Sequence, residues 1–331
     1  MWKLRMKMRT TGTLELRNLI QTKYSNITGI EVVKENKIVF EDYFNGYTNQ
    51  DRVHVASVTK SIVSLLLGIT IDKGFIKSID QKILEFFPDY TIKRRETTIQ
   101  EITIRDLITM TAPYKFKYEP YTKVYSSDDW TKSVLGFLGG KGKMGQFKYT
   151  TIGLQVLSGI LVNSIGKSIV EFANENLFQP LNIKSTHHAP IKNKEEYFAF
   201  MKNKGVSGWV VDPKGVNTAG WGLALTLNDV SKIGQLYLNL GKWKGTEIVS
   251  SQWIAESTKV HSLFNELPYG YLWWIIKDET INAYSAIGDG GNIIFISPEK
   301  DLVISITSTF FPRAKDRIEL IKEFIIPMLN L

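Results

Sequence analysis

The sequence has no cysteine among its 331 residues, which excludes disulfide bonds, a thiol nucleophile and cysteine ligands for a metal. Histidine is also scarce. No spacing typical of metal ligands, such as H-E-x-x-H, occurs among the four residues His54, His187, His188 and His261. We therefore expect no metal site.

Long apolar runs are missing as well. No stretch reaches the length of a membrane span, and the basic residues of positions 1–9 are not followed by the uninterrupted apolar segment of a secretory signal. We therefore expect a cytoplasmic protein without stable membrane insertion.

A compact basic segment beside exposed aromatic residues is also absent. The net charge of +8 comes from dispersed basic residues, mostly lysines, interleaved with acidic residues in segments such as 93–105. This pattern favours a lysine-rich surface over a nucleic-acid interface, so no nucleic-acid partner is expected.

The composition, with 43% hydrophobic and 22% charged residues, is that of an ordinary globular protein. A chain of this length can bury a full core and hold two packed subdomains.

A hydroxyl and an amine stand three residues apart at Ser57 and Lys60, in an apolar segment that ends at Gly74. Residues with this spacing lie on the same face of a helix, and apolar residues on nearly every face predict a buried helix. A poorly hydrated lysine loses its proton near neutral pH and can activate the serine. The helix N-terminus adds N–H groups for an oxyanion. This is the chemistry of a serine acyl-transfer enzyme.

The same four-residue pattern occurs twice more, which weakens it as a motif. Ser164–Lys167 falls where a helix ends at Gly166, and Ser297–Lys300 is typical of a turn between strands. Neither copy encloses its amine. For Ser57 the alternative is a surface serine beside a solvated lysine, and the apolar helix argues against it.

The remaining pattern places strands at both ends of the chain and helices between them. A hairpin is predicted from strands 28–34 and 37–44, with an irregular stretch over 112–148. Further strands are predicted over 269–276, 281–286, 292–297 and 302–307. Helices are predicted over 12–24, 79–88, 103–110, 151–164, 167–178, 226–240 and 313–329.

These elements predict an α/β (α+β) protein. One antiparallel sheet is built from the N- and C-terminal strands and flanked by helices, with a mainly helical subdomain inserted. We expect the sheet subdomain over 1–75 and 226–331 and the helical subdomain over 76–225. The Ser57 helix then lies at the seam, where ligand clefts form.

The segment Val55–Ser61 resembles the Ser-x-x-Lys motif of the serine β-lactamase and penicillin-binding protein superfamily. The similarity continues in order through 107–111, 179–183 and 219–223. Within this superfamily, the sequence resembles the branch that contains class C β-lactamases, D-alanyl-D-alanine carboxypeptidases, related esterases and 6-aminohexanoate-dimer hydrolases. It covers about residues 28 to 310 and implies a β-lactamase/transpeptidase-like fold, but says little about substrate.

The resemblance implies two further elements. Tyr149 matches the tyrosine of a Tyr-x-Asn motif that relays protons, and Thr151 replaces its asparagine, for which a hydroxyl is a partial substitute. A packed aromatic is the alternative for Tyr149. In the Lys-Thr-Gly or His-x-Gly element, Gly288 matches the glycine and Ala286 takes the cationic position. The family pattern implies that the Asp289 N–H joins that of Ser57 in an oxyanion hole; the alternative is a glycine-rich turn without a role.

Together these residues predict a serine hydrolase that cleaves an ester, amide or peptide bond of a small molecule through a Ser57 acyl-enzyme. Lys60 takes the proton, Tyr149 passes one to the leaving group, and no cofactor is needed. Weak or absent β-lactam hydrolysis is expected because Ala286 carries no charge.

Two points stay open. The departures at Thr151 and Ala286 leave, as the alternative, a penicillin-binding or sensor module with little or no turnover. Four aromatic residues are candidates for the acyl pocket, although core packing explains most of them equally well: Tyr114, Trp130, Trp221 and Trp273.

Overall fold

A computed structural model describes residues 10–94 and 96–329 of the chain. The strands are β1 (Ile27–Lys34), β2 (Lys37–Tyr43), β3 (Val53–His54), β4 (His188–Pro190), β5 (Trp209–Val211), β6 (Ala224–Leu225), β7 (Lys242–Trp243), β8 (Thr246–Glu247), β9 (Ser262–Phe264), β10 (Leu267–Tyr269), β11 (Trp274–Lys277), β12 (Asn282–Gly288), β13 (Asn292–Ser297) and β14 (Leu302–Ser308).

The helices within the described residues are α1 (Thr10–Lys23), α2 (Val58–Asp72), α3 (Ile104–Ile108), α4 (Tyr121–Tyr125), α5 (Trp130–Leu135), α6 (Gln155–Ile165), α7 (Ile169–Ala173), α8 (Lys194–Lys202), α9 (Leu227–Leu238), α10 (Ser251–Ser257), α11 (Arg317–Leu320) and α12 (Ile326–Met328). Short 3₁₀ turns lie at Ile83–Phe86, Thr98–Gln100, Ile152–Leu154, Asp289–Gly291 and Pro298–Lys300, and π-helical turns at Asn174–Phe178 and Ile321–Ile325.

Eight strands form one antiparallel sheet in the order β2-β1-β14-β13-β12-β11-β10-β9. The first strand of the chain pairs with the last, with Val32 opposite Ile304. The predicted fold class, an antiparallel sheet built from N- and C-terminal strands with helices around it, is therefore confirmed.

Helices cover both faces of this sheet. Alternate residues of β13 point to opposite sides: Ile293 and Phe295 enter a core with α1 and the C-terminal helices, while Ile294 and Ile296 enter the larger core with α2 and α9. Because both faces are covered, β13 and β14 are buried along their whole length, and simple alternation of polar and apolar residues does not mark them.

Helix α2 is buried from Val58 to Thr70, as its sequence predicts. It packs against β12 and β13 on one side and against α6 on the other. The N-terminus of α2 therefore lies where the sheet meets the mainly helical middle of the chain. The exact division into two subdomains stays a prediction.

Two predicted helix starts are confirmed in detail. Thr103 and Asp106 form a reciprocal capping box at α3, and Thr226 and Asp229 form another at α9. In each pair the side chain of one residue satisfies the backbone N–H of the other, which fixes the first turn of the helix.

Other predicted elements are shorter or divided. The segment 79–88 forms only the turn Ile83–Phe86, because the Ile83 N–H bonds to the carbonyl of Ile102 instead of a helical partner. The predicted strand 269–276 is broken at Leu272, whose φ of 63° turns the chain between β10 and β11. The closing helix begins at Arg317, where the Asp316 side chain caps the Ile318 N–H.

In the described part of the chain no single helix is long and apolar enough to cross a membrane, and only the pair Ile152–Ile165 and Ile169–Phe178, bent by 73°, reaches that length and composition together.

Candidate active site

Ser57 and Lys60 meet at the N-terminus of α2. The Lys60 Nζ lies 2.8 Å from the Ser57 Oγ, 2.8 Å from the Gly220 carbonyl oxygen and 3.2 Å from the Thr151 Oγ1. The lysine side chain is buried, with only 1% of the residue exposed, whereas Ser57 is half-buried and reachable from solvent. An enclosed amine thus contacts an accessible alcohol.

Burial determines the protonation of this amine. Desolvation lowers the pKa of Lys60 from its usual 10.5 to about 7, while the carboxylates of Glu119 and Asp289 act in the opposite direction. All three hydrogen-bond partners named above are uncharged, so none of them supplies a negative charge in contact with a buried ammonium group. At neutral pH a large fraction of the molecules therefore carries a free amine that can accept a proton.

We expect kcat/KM for a neutral ester to fall as the pH is lowered through about 7. The folded pKa of Lys60 lies below its ordinary value, so the base is present above about pH 7 and lost by protonation below it. The measurement is the pH profile for a p-nitrophenyl ester from about pH 5 to about pH 9, a span that brackets this pKa. A flat profile over that span would contradict the assignment of Lys60 as the base.

Tyr149 lies beside the same serine. It precedes the turn Ile152–Leu154 that leads into α6, and its ring centre is 4.9 Å from the Lys60 Nζ. Burial raises the pKa of the Tyr149 phenol, and hydrogen bonding with Ser57 lowers it by a smaller amount. The phenol therefore stays protonated at neutral pH, which suits a proton donor or relay better than a resting base.

Glu119 is a residue of this site that the sequence analysis did not identify. Its Oε1 accepts hydrogen bonds from the backbone N–H groups of Thr151, at 2.7 Å, and Ile152, at 3.2 Å, and from the Thr150 hydroxyl. One carboxylate oxygen thus caps the turn that carries Tyr149 and Thr151. Glu119 lies in the irregular stretch about thirty residues earlier, and no local pattern marks it.

The end of β12 packs directly on the backbone at Ser57. A Cβ atom at Gly288 would lie 2.5 Å from the Val55 carbonyl oxygen and 3.1 Å from the Ser57 nitrogen, so only glycine fits. Asp289 follows at once and is exposed. Ala286, two residues before Gly288, is fully buried and offers no charge.

The residue before the serine has an unusual conformation. Ala56 has a φ of 50°, in the left-handed region, and its carbonyl accepts a hydrogen bond from the Thr59 hydroxyl at 2.7 Å. A non-glycine residue in this region costs on the order of 1 kcal/mol. The sharp bend directs the chain from β3 into α2 and presents Ser57 at the corner.

His54 is close in sequence but has a structural role. Its Nε2 accepts a hydrogen bond from the Gly222 N–H at 3.1 Å, and burial lowers its pKa to about 3. The ring packs against Phe200 and Trp221. Within the described residues, this neutral imidazole, whose Nε2 is bonded to Gly222, holds that segment in place and makes no hydrogen bond with Ser57 through which it could act as a base.

The aromatic residues proposed for the acyl pocket lie in different places, some near Lys60 and some in the core. Trp221 follows Gly220, whose carbonyl contacts Lys60, and its ring lies 5.4 Å from that of Tyr197. Trp273 lies in the core, where its Nε1 donates to the Tyr237 hydroxyl at 2.7 Å. An aromatic that the sequence analysis missed, the half-buried Trp274, stacks on Tyr149 with a centroid distance of 5.6 Å.

The other two Ser-x-x-Lys copies form no such pair. The Ser164 hydroxyl donates to the Ile160 carbonyl at 2.7 Å, and Lys167 instead pairs with Glu175 at the surface. The Ser297 hydroxyl donates to the Asn282 carbonyl. Burial of the lysine and its contact with the serine, rather than the motif itself, distinguish the Ser57 copy.

An accessible alcohol beside a buried amine, at the start of a helix packed on an antiparallel sheet, defines the class of β-lactamase-like serine hydrolases. The sequence model of the Beta-lactamase family matches residues 18–323, and the chain belongs to this family.

The chain is also similar to a relative by sequence and to solved structures by fold. The chain is 24% identical over 299 residues to a 6-aminohexanoate-dimer hydrolase of Paenarthrobacter ureafaciens, covering 82% of this chain and 70% of the relative. A putative beta-lactamase from Bacteroides dorei DSM 17855 shares the fold with a TM-score of 0.75 at 18% identity, covering 97% and 99% of the two chains. EstCE1, a hydrolase with promiscuous acyltransferase activity, has a TM-score of 0.71 at 14% identity, covering 97% and 98%.

Proposed function

We propose that the protein hydrolyses an ester or amide bond of a small molecule through an acyl-enzyme on Ser57. The observation that carries this proposal is the 2.8 Å contact between the Ser57 Oγ and the buried Nζ of Lys60. A solvated lysine would be protonated and could not accept the serine proton. Burial lowers the pKa of this amine to about 7, so a large fraction of it is uncharged at neutral pH.

Acylation begins with transfer of the Ser57 proton to the neutral Lys60. The Oγ attacks the carbonyl carbon, and the carbonyl oxygen becomes an oxyanion. The N–H groups of Ser57 and Asp289 stabilise it, at on the order of 3 kcal/mol per donor. Collapse breaks the bond to the leaving group, which takes a proton from Tyr149. The Lys60 ammonium then returns a proton to the phenolate, and both groups regain their resting state.

Deacylation repeats these steps with water in place of the serine. Lys60 takes a proton from water, the hydroxide attacks the acyl carbon, and Ser57 leaves with a proton relayed through Tyr149. The raised pKa of Tyr149 supports this division of roles, because a phenol that is protonated at rest donates before it accepts.

The substrate we propose is a neutral ester or amide. Buried Ala286 supplies no cation for a substrate carboxylate, and the exposed Asp289 places a negative charge next to the proposed oxyanion donors. Both features disfavour anionic substrates such as penicillins. Similarity to a 6-aminohexanoate-dimer hydrolase and to a hydrolase with promiscuous acyltransferase activity supports acyl transfer as the chemistry of this site.

Intact-mass spectrometry tests the acyl-enzyme directly. After brief exposure to a panel of p-nitrophenyl esters, β-lactams and D-amino-acid peptides, we expect a mass increase equal to one acyl group, mapped by peptide digestion to Ser57. The Ser57→Ala variant serves as the control and should gain no mass. A wild-type protein that hydrolyses none of the panel and gains no mass from any member would refute the proposal.

A sensor module is the second candidate, motivated by Thr151 and Ala286 in place of the family's asparagine and cation. The Thr151 hydroxyl nevertheless lies 3.2 Å from the Lys60 Nζ and so supplies a polar partner in place of the amide. Stable labelling of Ser57 by a fluorescent penicillin, without release of the acyl group and without ester turnover, would favour the sensor over the hydrolase.

A further inference from the structure

The residues 288–291, here named the oxyanion turn, carry the Asp289 N–H on which the proposed function depends. The turn is rich in glycine, with φ values of 81° at Gly290 and 90° at Gly291. Glycine backbone is intrinsically mobile, whereas an oxyanion donor has to be fixed to within a fraction of an ångström. Something outside the turn therefore has to hold it.

Two residues from opposite ends of the chain bind the back of this turn. The Asn26 Nδ2 donates to the Gly290 carbonyl at 2.6 Å and to the Thr309 carbonyl at 2.8 Å. The Arg317 Nη2 donates to the Asn26 Oδ1 at 2.7 Å and to the Gly290 carbonyl at 3.3 Å. Both side chains thus donate to the carbonyl of Gly290, the residue that follows Asp289.

Arg317 is buried, with 3% of the residue exposed, and its hydrogen-bond partners are uncharged oxygens of Asn26, Gly290, Ser308 and Lys315. Burial lowers its pKa to about 10, so it remains charged at neutral pH. A buried guanidinium without a carboxylate bonded to it is an unfavourable choice for stability alone, since an apolar side chain avoids the desolvation penalty.

The oxyanion turn and Arg317 are complementary in shape. A Cβ atom at Gly291 would lie between 2.6 and 2.8 Å from the Nε, Cζ and Nη2 atoms of Arg317, so glycine lets the guanidinium lie against the backbone. A cavity of about 430 Å³, lined by 287–291, 293 and 310–318, adjoins the same turn. Side-chain packing therefore leaves part of the turn unsupported, and the hydrogen bonds have to restrain it.

The front of the turn is held separately. The Asn292 Nδ2 donates to the Asp289 carbonyl at 3.1 Å, and the Asn292 Oδ1 accepts from the Ser308 N–H at 2.9 Å. The carbonyls of Asp289 and Gly290 are therefore both held, which restrains the two peptide planes that follow the Asp289 N–H.

We propose that Asn26 and Arg317 are positioning residues that hold the oxyanion turn so that the Asp289 N–H faces the carbonyl oxygen of the substrate. This inference rests on the proposed function. Neither residue touches substrate; they act through Gly290. A role of this kind affects the transition state more than substrate binding, because the oxyanion forms only during the reaction.

The test compares Asn26→Ala and Asn26→Asp with the wild type. Aspartate can still accept from Arg317 but cannot donate to the Gly290 carbonyl, so it separates the bond to the turn from the bond to the arginine. We expect both variants to lower kcat for p-nitrophenyl butyrate by about tenfold or more, with KM within about twofold. Affinity for phenylboronic acid, which mimics the tetrahedral intermediate, should fall by a similar factor.

Asn174→Ala is the matched control. Its amide also bridges two segments, donating to the Thr186 carbonyl and accepting from the Thr186 N–H at 2.9 Å each, and neither bond involves the turn. This variant should keep the wild-type kcat and boronate affinity.

Failure of the positioning role and failure of the proposed function give different results. Asn26 variants that lose thermal stability but keep the wild-type kcat and boronate affinity would reduce the pair to a structural role and overturn the inference. A wild-type enzyme without Ser57-dependent hydrolysis would refute the proposed function and the positioning role together.

Arg317→Lys is a second test variant. The lysine ammonium keeps the charge but loses the planar fork of the guanidinium, so kcat should fall while the acid limb of the pH profile stays in place.

Discussion

Replacement of Ser57 by alanine is expected to lower kcat/KM for p-nitrophenyl butyrate by about a thousandfold or more. The Oγ is the proposed nucleophile, and no neighbouring group within 3.2 Å of Lys60 can replace it except the Thr151 hydroxyl, whose bond to the amine is longer. Removal of a nucleophile leaves only the rate supplied by the oxyanion donors and substrate binding. The measurement is initial-rate hydrolysis followed at the p-nitrophenolate absorbance.

The chain provides its own control for this variant. Ser164→Ala removes the hydroxyl of another Ser-x-x-Lys copy, where the serine bonds to the Ile160 carbonyl and Lys167 pairs with Glu175. This variant should hydrolyse the ester at the wild-type rate. Equal rates for the wild type and Ser57→Ala would show that the observed hydrolysis does not pass through the proposed acyl-enzyme.

The Ser57–Lys60 pair could be predicted from sequence because its geometry is local. Two residues three positions apart share a helix face wherever that helix lies, and the apolar residues from 58 to 70 predict that the helix is buried. The strands at the two ends of the chain were predictable for a similar reason, since each run of β-branched residues is recognisable alone. Their pairing, β1 beside β14, is seen only in the structure.

The support of the site could not be predicted because it is non-local. Glu119 reaches the turn before α6 from an irregular loop, and the Gly220 carbonyl meets Lys60 across 160 positions. Asn26 and Arg317 lie 291 positions apart. Their residue types fit many surface roles, and only the completed fold brings them behind the oxyanion turn.

The edge hairpin β9–β10 escaped prediction for a different reason. Leu263, Phe264 and Leu267 are exposed although apolar, so the strands lack the alternation of apolar and polar residues that predicts a half-buried strand. The consequence for the site is direct: Phe264 and Trp274 continue an aromatic row from the edge of the sheet to Tyr149.

Lys60→Arg is expected to lower kcat by about a hundredfold or more. The guanidinium stays protonated at any working pH and cannot take the Ser57 proton, and it is too large for a site enclosed by the Gly220 carbonyl and the Thr151 hydroxyl. Lys60→Met is the companion variant, because methionine has a similar length and no charge in a fully buried position. Both rates are measured with p-nitrophenyl butyrate, alongside thermal unfolding.

The two variants separate a catalytic amine from a structural one. Burial of Lys60 destabilises the fold below its ordinary pKa of 10.5, and this cost is complete below about pH 7; Lys60→Met removes it and should there fold at least as stably as the wild type while losing activity. The residual hydrolysis of this variant should also lose the acid limb near pH 7. If either variant retains the wild-type rate, or if the limb persists in Lys60→Met, the proton passes through another group and Lys60 serves only to hold the Gly220 segment against α2.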